Sequence, residues 1–283
     1  MKTKNEMQLK AFIKSKAMEI GISPQLMLQR YHMECFIDRL SRSNFASQFI
    51  IKGGFLISNL VGLSSRSTMD IDTTIKRLKM DEETISHAIE KICSIPANDD
   101  FTFVFDKIEP IREDDEYHGF RAYLFANYGI MRGTLTLDIT TGDSIYPAEI
   151  STKFTRCFDN IPIEILSYPI ETILAEKLET IITRSVLNSR PRDFYDVYIL
   201  TKTVPFDKAT LKQALLATAK HRHTREIIEN ESQNRLAVIE SSAELQMQWK
   251  KYQTKFKYAK NISFEDTVRA VRDLFSAICS NKV

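Results

Sequence analysis

Apolar positions along this chain follow two regimes. Up to about residue 167, short β-branched runs alternate with helical spacings, and beyond it the helical period is nearly unbroken. Residues 7–20 and 24–46 carry the spacing of amphipathic helices. Ser23 followed by Pro24 is a start signal, because proline fixes φ and lacks an N–H that the first turn leaves unpaired anyway. Phe49-Ile-Ile-Lys52 reads as a strand, Gly53-Gly54 breaks it, and residues 55–63 resume with helical spacing. Asp70-Ile-Asp-Thr-Thr-Ile75 alternates as a half-buried strand does. A helix is predicted near 81–94, and strands near 101–111, 119–128, 132–140 and 161–166. From Pro169 onward the pattern is helical, and Ser263-Phe-Glu-Asp266 spells a capping box before the last segment. The predicted class is therefore α+β. A mixed sheet with helices occupies residues 1–167 and a helical bundle residues 168–283, with a ligand cleft expected between them.

Composition narrows this picture by exclusion. At 283 residues the chain suits two domains, and 43% apolar with 27% charged residues rules out a disordered or low-complexity chain. Cys35, Cys93, Cys157 and Cys279 form no CxxC pair, which argues against a zinc site or a disulfide framework and fits a reducing cytoplasm. The N-terminal residues carry charges throughout, unlike an export signal, and no apolar stretch reaches the ~20 residues that span a bilayer. The expectation is a cytoplasmic protein with no membrane partner.

The densest chemistry lies in Lys52-Gly-Gly and Arg66-Ser-Thr-Met-Asp70-Ile-Asp72. Side chains alternate along a strand, so Asp70 and Asp72 project to one side while Ile71 goes to the other. Two carboxylates one pleat apart suit Mg²⁺, or Mn²⁺, which takes hard oxygen ligands and commonly keeps substrate phosphates among them. Glycines at a helix start let backbone N–H groups approach those phosphates closely. Asp138, in Leu135-Thr-Leu-Asp-Ile-Thr140, falls on the polar face of its strand and is a candidate third carboxylate. It would act as metal ligand or as the base that deprotonates an attacking hydroxyl. A polar strand face in water is the alternative reading.

The helix after Pro169 adds a second constellation. At roughly 100° per residue, Lys177 and Arg184 fall within the stripe of Ile173, Leu174, Leu178 and Ile181, whereas Glu176 and Glu179 fall on the opposite, solvated side. On the next helix Asp193 is flanked by Phe194 and Val197, with Asp196 at the margin. A cation in an apolar stripe must be paired or face a cleft. Two readings stand: an internal ion-pair network between the helices, or a lysine that meets a triphosphate with Asp193 orienting it.

Taken in order, Lys52-Gly-Gly, Arg66-Ser-Thr-Met-Asp-Ile-Asp72, Leu137-Asp-Ile-Thr-Thr-Gly-Asp143, Ala175-Glu-Lys-Leu178 with Arg184, and Arg190-Pro-Arg-Asp-Phe-Tyr-Asp196 resemble the motifs of the AbiEii/AbiGii abortive-infection toxins. The resemblance covers about residues 48–200. It implies a DNA-polymerase-β-like nucleotidyltransferase domain followed by a helical domain, divalent-metal-dependent binding of a nucleoside triphosphate (GTP or CTP foremost), and a cognate antitoxin. Carried over by position, Asp70 and Asp72 would ligate the metal and Gly53 and Gly54 would begin the nucleotide motif. Lys52, Arg66 and Thr68 would lie beside the nucleotide, Lys177 would match the lysine of the Glu-Lys-Leu motif, and Asp193 and Asp196 would supply the final acidic motif. Many nucleotidyltransferases have Gly-Ser where this chain has Gly53-Gly54, so a serine contact to phosphate is missing. Some family members are similar to the MenT toxins, which transfer nucleotides to tRNA, while others are described chiefly as GTP-binding. The resemblance thus leaves RNA transfer, regulatory GTP binding and transfer to protein as open outcomes.

Charge distribution bears on the acceptor. The whole chain carries a net charge of only +2, yet residues 202–260 hold 12 Lys and Arg against 6 Asp and Glu. In Trp249-Lys-Lys-Tyr-Gln-Thr-Lys-Phe-Lys-Tyr-Ala-Lys260, lysines interleave with aromatics. That is a pattern able to contact phosphates and stack an unpaired RNA end, or simply a solvated lysine face. His221 and His223 flank Arg222 without metal-ligand company and read as a polar helix end.

Overall fold

The computed structural model describes residues 2–111 and 119–279. The chain divides into two compact units: the residues up to Gly142 together with Ile150–Ser167, and Asp143–Glu149 together with the residues from Tyr168 onward.

The first unit is built on a mixed seven-stranded sheet. Its strands are β1 (Phe49–Lys52), β2 (Ile71–Ile75), β3 (Thr102–Ile111), β4 (Gly119–Tyr128), β5 (Met131–Thr141), β6 (Ile150–Thr155) and β7 (Pro162–Ser167), in the order β3-β4-β5-β2-β1-β7-β6. β2 runs parallel to β5 and antiparallel to β1, and β4 pairs antiparallel with both β3 and β5. Helices α1 (Glu6–Ile20), α2 (Pro24–Ser41), α3 (Gly53–Val61) and α4 (Glu82–Cys93) accompany the sheet, with α2 packed against β5, β7 and α4. Alternation behaves as the sequence predicts: Leu135, Leu137 and Ile139 of β5 are fully buried, and Thr136 and Asp138 of the other face keep partial exposure.

The central strands are short and β-branched, which suits a sheet buried on both faces. Ile50, Ile51, Ile71, Thr73 and Thr74 are all buried. Two departures from the sequence reading have local causes. α2 ends at Ser41 rather than 46, because short polar side chains compete for the backbone there: Ser41 and Ser43 donate their hydroxyls to the carbonyls of Asp38 and Leu40. The edge strand β6 lies outside the predicted strands, and of its six residues only Phe154 is buried, as suits an edge exposed to solvent.

The second unit is helical. Its elements are α5 (Ile170–Arg184), α6 (Pro191–Thr203), α7 (Lys208–His221), α8 (Ser232–Ser241), α9 (Ala243–Lys255) and α10 (Phe264–Cys279). α5 packs on α6 and α7, and α6 on α9 and α10. The predicted capping box forms at α10: the Asp266 N–H donates to Ser263 Oγ at 3.0 Å and the Ser263 N–H to Asp266 Oδ2 at 3.3 Å. No helix among the described residues is long and apolar enough to cross a membrane.

Candidate functional site

The turn from β1 into α3 is shaped around one carboxylate. Gly53 has φ +63°, and a Cβ placed there would lie 2.0 Å from Asp72 Oδ2. Both the positive φ and the close approach require glycine. The Gly54 N–H donates to the same Oδ2 at 3.2 Å, so Asp72 sits at the N-terminal end of α3, where a helix favours an anion. A Cβ on Gly54 would meet Thr68 Oγ1 at 2.5 Å and Arg66 at 3.4 Å. The loop from Arg66 to Asp70 therefore packs directly on the glycine pair. Thr68 Oγ1 in turn donates to Asp70 Oδ1 at 2.5 Å, fixing one oxygen of that carboxylate.

The strand register lines charges across the sheet. Lys52 faces Asp72 across the β1–β2 ladder, Asp72 faces Asp138 across β2–β5, Asp138 faces Arg121 across β5–β4, and Arg121 faces Glu109 across β4–β3. Register partners share a face, so these five residues form one transverse row. Lys52 is buried, and its ammonium donates to Thr140 Oγ1 at 2.7 Å. Arg121 embraces Asp138 with two parallel hydrogen bonds, Nε to Oδ1 at 2.6 Å and one terminal nitrogen to Oδ2 at 2.7 Å. Burial, then the charges of Asp70 and Asp138, push the Asp72 carboxyl above the usual range, while the Gly54 N–H and Lys52 oppose that rise.

These carboxylates suit a divalent cation by their chemistry. They are hard oxygen donors, and the charges of Asp70 and Asp138 raise the cost of charge on Asp72, a cost that a cation relieves. Asp138 stands differently, because both of its oxygens are taken by Arg121. Among the described residues, no group of three or more His, Cys, Asp or Glu side chains is arranged to hold a metal ion.

The structure thus brings together Lys52, Gly53, Gly54, Arg66, Thr68, Asp70, Asp72 and Asp138 in the sheet unit. Arg66 and Lys52 lie buried beneath the turn rather than open to solvent. Arg121 and Glu109 were not legible in the sequence as members of the site. Both sit at ordinary polar positions of alternating strands, and only the register places them in the row.

Within the helical unit, Lys177, Asp193 and Asp196 meet. The Lys177 ammonium pairs with Asp193 and lies 3.1 Å from Asp196 Oδ2, and both carboxylates are buried. Arg184 does not join them: it is exposed in the last turn of α5, where a cation complements the helix dipole. The placement of Glu179 is also corrected. It is buried, not solvated, because Arg222 from the end of α7 pairs with it and Thr224 Oγ1 donates to its Oε1 at 2.9 Å. Arg222 lies 3.5 Å from Glu176 as well.

The lysine and aromatic segment separates into two roles. Trp249 and Tyr252 are buried in the helical core, Trp249 bonded through its indole N–H to the Ile262 carbonyl at 2.9 Å. Neither is open for a base to stack upon. Lys250, Lys251, Lys255, Lys257 and Lys260 are all exposed.

Comparison with known proteins completes the picture. The model of the family described as "Nucleotidyl transferase AbiEii toxin, Type IV TA system" matches residues 35–273. The curated proteins contain no match. Among solved structures, the chain is similar to JHP933 from Helicobacter pylori at 16% identity and a TM-score of 0.49, covering 90% of this chain and 92% of that one. It is also similar to an antigenic nucleotidyltransferase-like protein from Paracoccidioides brasiliensis at 15% identity and a TM-score of 0.41, covering 89% and 97%. The family assignment rests on the sequence match alone.

Proposed function

The chain belongs to the AbiEii nucleotidyl transferase toxins of type IV toxin–antitoxin systems, and we propose that it transfers a nucleotidyl group from a Mg²⁺-bound nucleoside triphosphate to RNA, tRNA foremost. The observation that carries this reading is the Gly53-Gly54 turn closed on Asp72. It puts a carboxylate and a helix N-terminus at one point, which is what a metal-bound polyphosphate needs from a protein.

Asp70 and Asp72 would hold the cation. When bound, Mg²⁺ (or Mn²⁺) supplies Lewis-acid polarisation of phosphoryl oxygens and neutralises developing charge. Thr68 orients Asp70 by donating to one of its oxygens, which leaves the other to face the ligand. The Gly54 N–H is given to Asp72, so phosphate oxygens would be met by the other main-chain N–H groups at the start of α3, and the absent serine of the Gly-Ser form costs one contact rather than the cradle. Asp138 is assigned the proton of the attacking hydroxyl. Within the helical unit, Lys177, oriented by Asp193 and Asp196, is a cation of the kind that stabilises phosphate charge. The exposed lysines from Lys250 to Lys260 supply a phosphate-binding face for an RNA acceptor, with the half-buried Phe256 and Tyr258 the aromatics left for an unpaired base. A cognate antitoxin is the expected protein partner, and the cytoplasm the expected compartment.

One incubation tests the reading: purified protein with each α- or γ-labelled nucleoside triphosphate and total RNA. α-Label on RNA, absent with Asp72→Asn, is the expected result. γ-Label on protein would assign a phosphotransferase instead, and saturable GTP binding without transfer a regulatory toxin.

A further inference from the structure

We propose that Arg121 is a positioning residue that withholds Asp138 from the metal site until a nucleoside triphosphate arrives; the proposal rests on the reading of Asp70 and Asp72 as metal ligands.

The row Lys52–Asp72–Asp138–Arg121–Glu109 brackets its two adjacent carboxylates with a cation on each side. The two cations are unlike. The Lys52 side chain is buried and tied to Thr140, so it is a fixed counter-charge of the sheet. The Arg121 side chain is 39% exposed and reaches Asp138 from the half-covered strand β4. An arginine fork that fills both oxygens of a carboxylate leaves none for a metal. Asp72, by contrast, accepts the Gly54 N–H on Oδ2 and faces no such fork.

The resting site therefore presents Asp70 and Asp72 to a cation and keeps Asp138 neutralised. A triphosphate is a competing anion of the kind a guanidinium binds bidentately, and its arrival gives Arg121 a second partner. Glu109, directly opposite Arg121 on β3 and half-buried, is paired with Lys107 at 2.5 Å and so presents a carboxylate, shared with that lysine, on the side away from Asp138. Released, Asp138 has both oxygens open, as a ligand or base requires. Arg121 thus couples completion of the acidic set to the presence of substrate.

Mn²⁺ binding to the full chain without nucleotide, followed by electron paramagnetic resonance, tests this. Arg121→Met is expected to bind Mn²⁺ at least about fivefold more tightly than the wild type, the effect of removing one unit charge at contact distance in a solvated setting. Arg121→Lys, which covers only one oxygen, falls between them and carries the test if the Met variant does not fold. Adding Asp138→Asn to Arg121→Met abolishes the gain. Arg132→Met removes the same charge from a cation that lies over Phe125 on the same hairpin, and it gives no gain. A non-hydrolysable triphosphate narrows the difference between wild type and Arg121→Met.

Equal Mn²⁺ affinity of wild type and both Arg121 variants overturns the proposal. So does an equal gain from Arg132→Met, or a gain that survives Asp138→Asn. Wild-type Mn²⁺ binding unaffected by Asp72→Asn, or no binding by any of these proteins, overturns the reading of the metal site itself.

Discussion

Asp72 and Asp138 face one another across the parallel ladder between β2 and β5, two carboxylates side by side in a sheet that otherwise buries isoleucine and threonine. That adjacency is unfavourable to the fold alone, since like charges opposite each other in a sheet destabilise it. Replacing Asp72 with Asn removes one of the charges and keeps the shape. The expected outcome is unchanged or raised thermal stability with at least a ~100-fold loss of transfer, the scale of a removed electrostatic group. A melting curve and the labelled-nucleotide assay on the same preparation check both halves.

Gly53→Ala is expected to damage both fold and site. Its φ of +63° and the 2.0 Å approach of Asp72 Oδ2 leave no room for a methyl group. Strain in the left-handed region costs roughly 1–2 kcal/mol, and the displaced Asp72 loses its hold on the α3 N-terminus. Urea unfolding gives the first quantity and nucleotide binding the second. Gly62, whose φ is +89° with nothing near the added atom, provides the comparison: Gly62→Ala carries the backbone strain alone.

Stability should fall in mild acid through His32. The ring is buried against Phe101 and Gly133, and burial lowers its pKa from 6.5 to about 4. Between those values the unfolded chain binds a proton that the folded protein does not, so stability declines as pH falls from about 6.5 towards 4 and is unaffected by this group above that range. The full effect is roughly 3 kcal/mol. Melting temperatures of wild type and His32→Leu across pH 5–7 test it, the variant showing the shallower slope.

The buried pair of Arg30 and Glu34 ties α2 to the loop before β7. Arg30 donates to Glu34 at 2.6 Å and to Ser58, while the other Glu34 oxygen accepts the Cys157 N–H at 2.9 Å. Glu34→Ala strands a buried guanidinium and orphans that amide, and should cost about 3–5 kcal/mol. Chemical denaturation reads it directly. Transfer by the surviving folded fraction should be unchanged, which separates this pair from the site.

Lys177→Met leaves Asp193 and Asp196 buried without their shared ammonium, and is also expected to cost about 3–5 kcal/mol. A double-mutant cycle with Asp193→Asn distinguishes an internal ion pair from a reactive group. Stability should recover only in part in the double variant, because Asp196 still lacks the ammonium, whereas transfer should not recover at all.

Much of the sheet unit was legible because its residues obey local rules. The alternation of β5 and the glycine break after Lys52 each have one physical solution, and Asp70, Asp72 and the glycine pair follow from it. What escaped reading depends on neighbours far away in sequence. Arg121 and Glu109 belong to the row only through cross-strand register, which no single strand encodes. Glu179 looks solvated on a helical wheel, and only the arrival of Arg222 from α7 makes its burial tolerable. Trp249 and Tyr252 share a segment with exposed lysines, and amphipathic spacing, not stacking chemistry, explains them.

The path of the chain carries a practical consequence. Residues Asp143–Glu149 belong with the helical unit although β6 and β7 return to the sheet after them. Within that unit, the Tyr146 N–H donates to Thr172 Oγ1 at 3.1 Å, and the same hydroxyl donates back to the Tyr146 carbonyl at 3.0 Å. A gene cut after Ser167 would thus strip the helical half of a clasp on the first turn of α5 and leave the sheet half with a dangling polar loop. To be expressed apart, the helical half needs that heptapeptide supplied in trans or grafted ahead of Tyr168, and the sheet half needs a short bridge from Gly142 to Ile150.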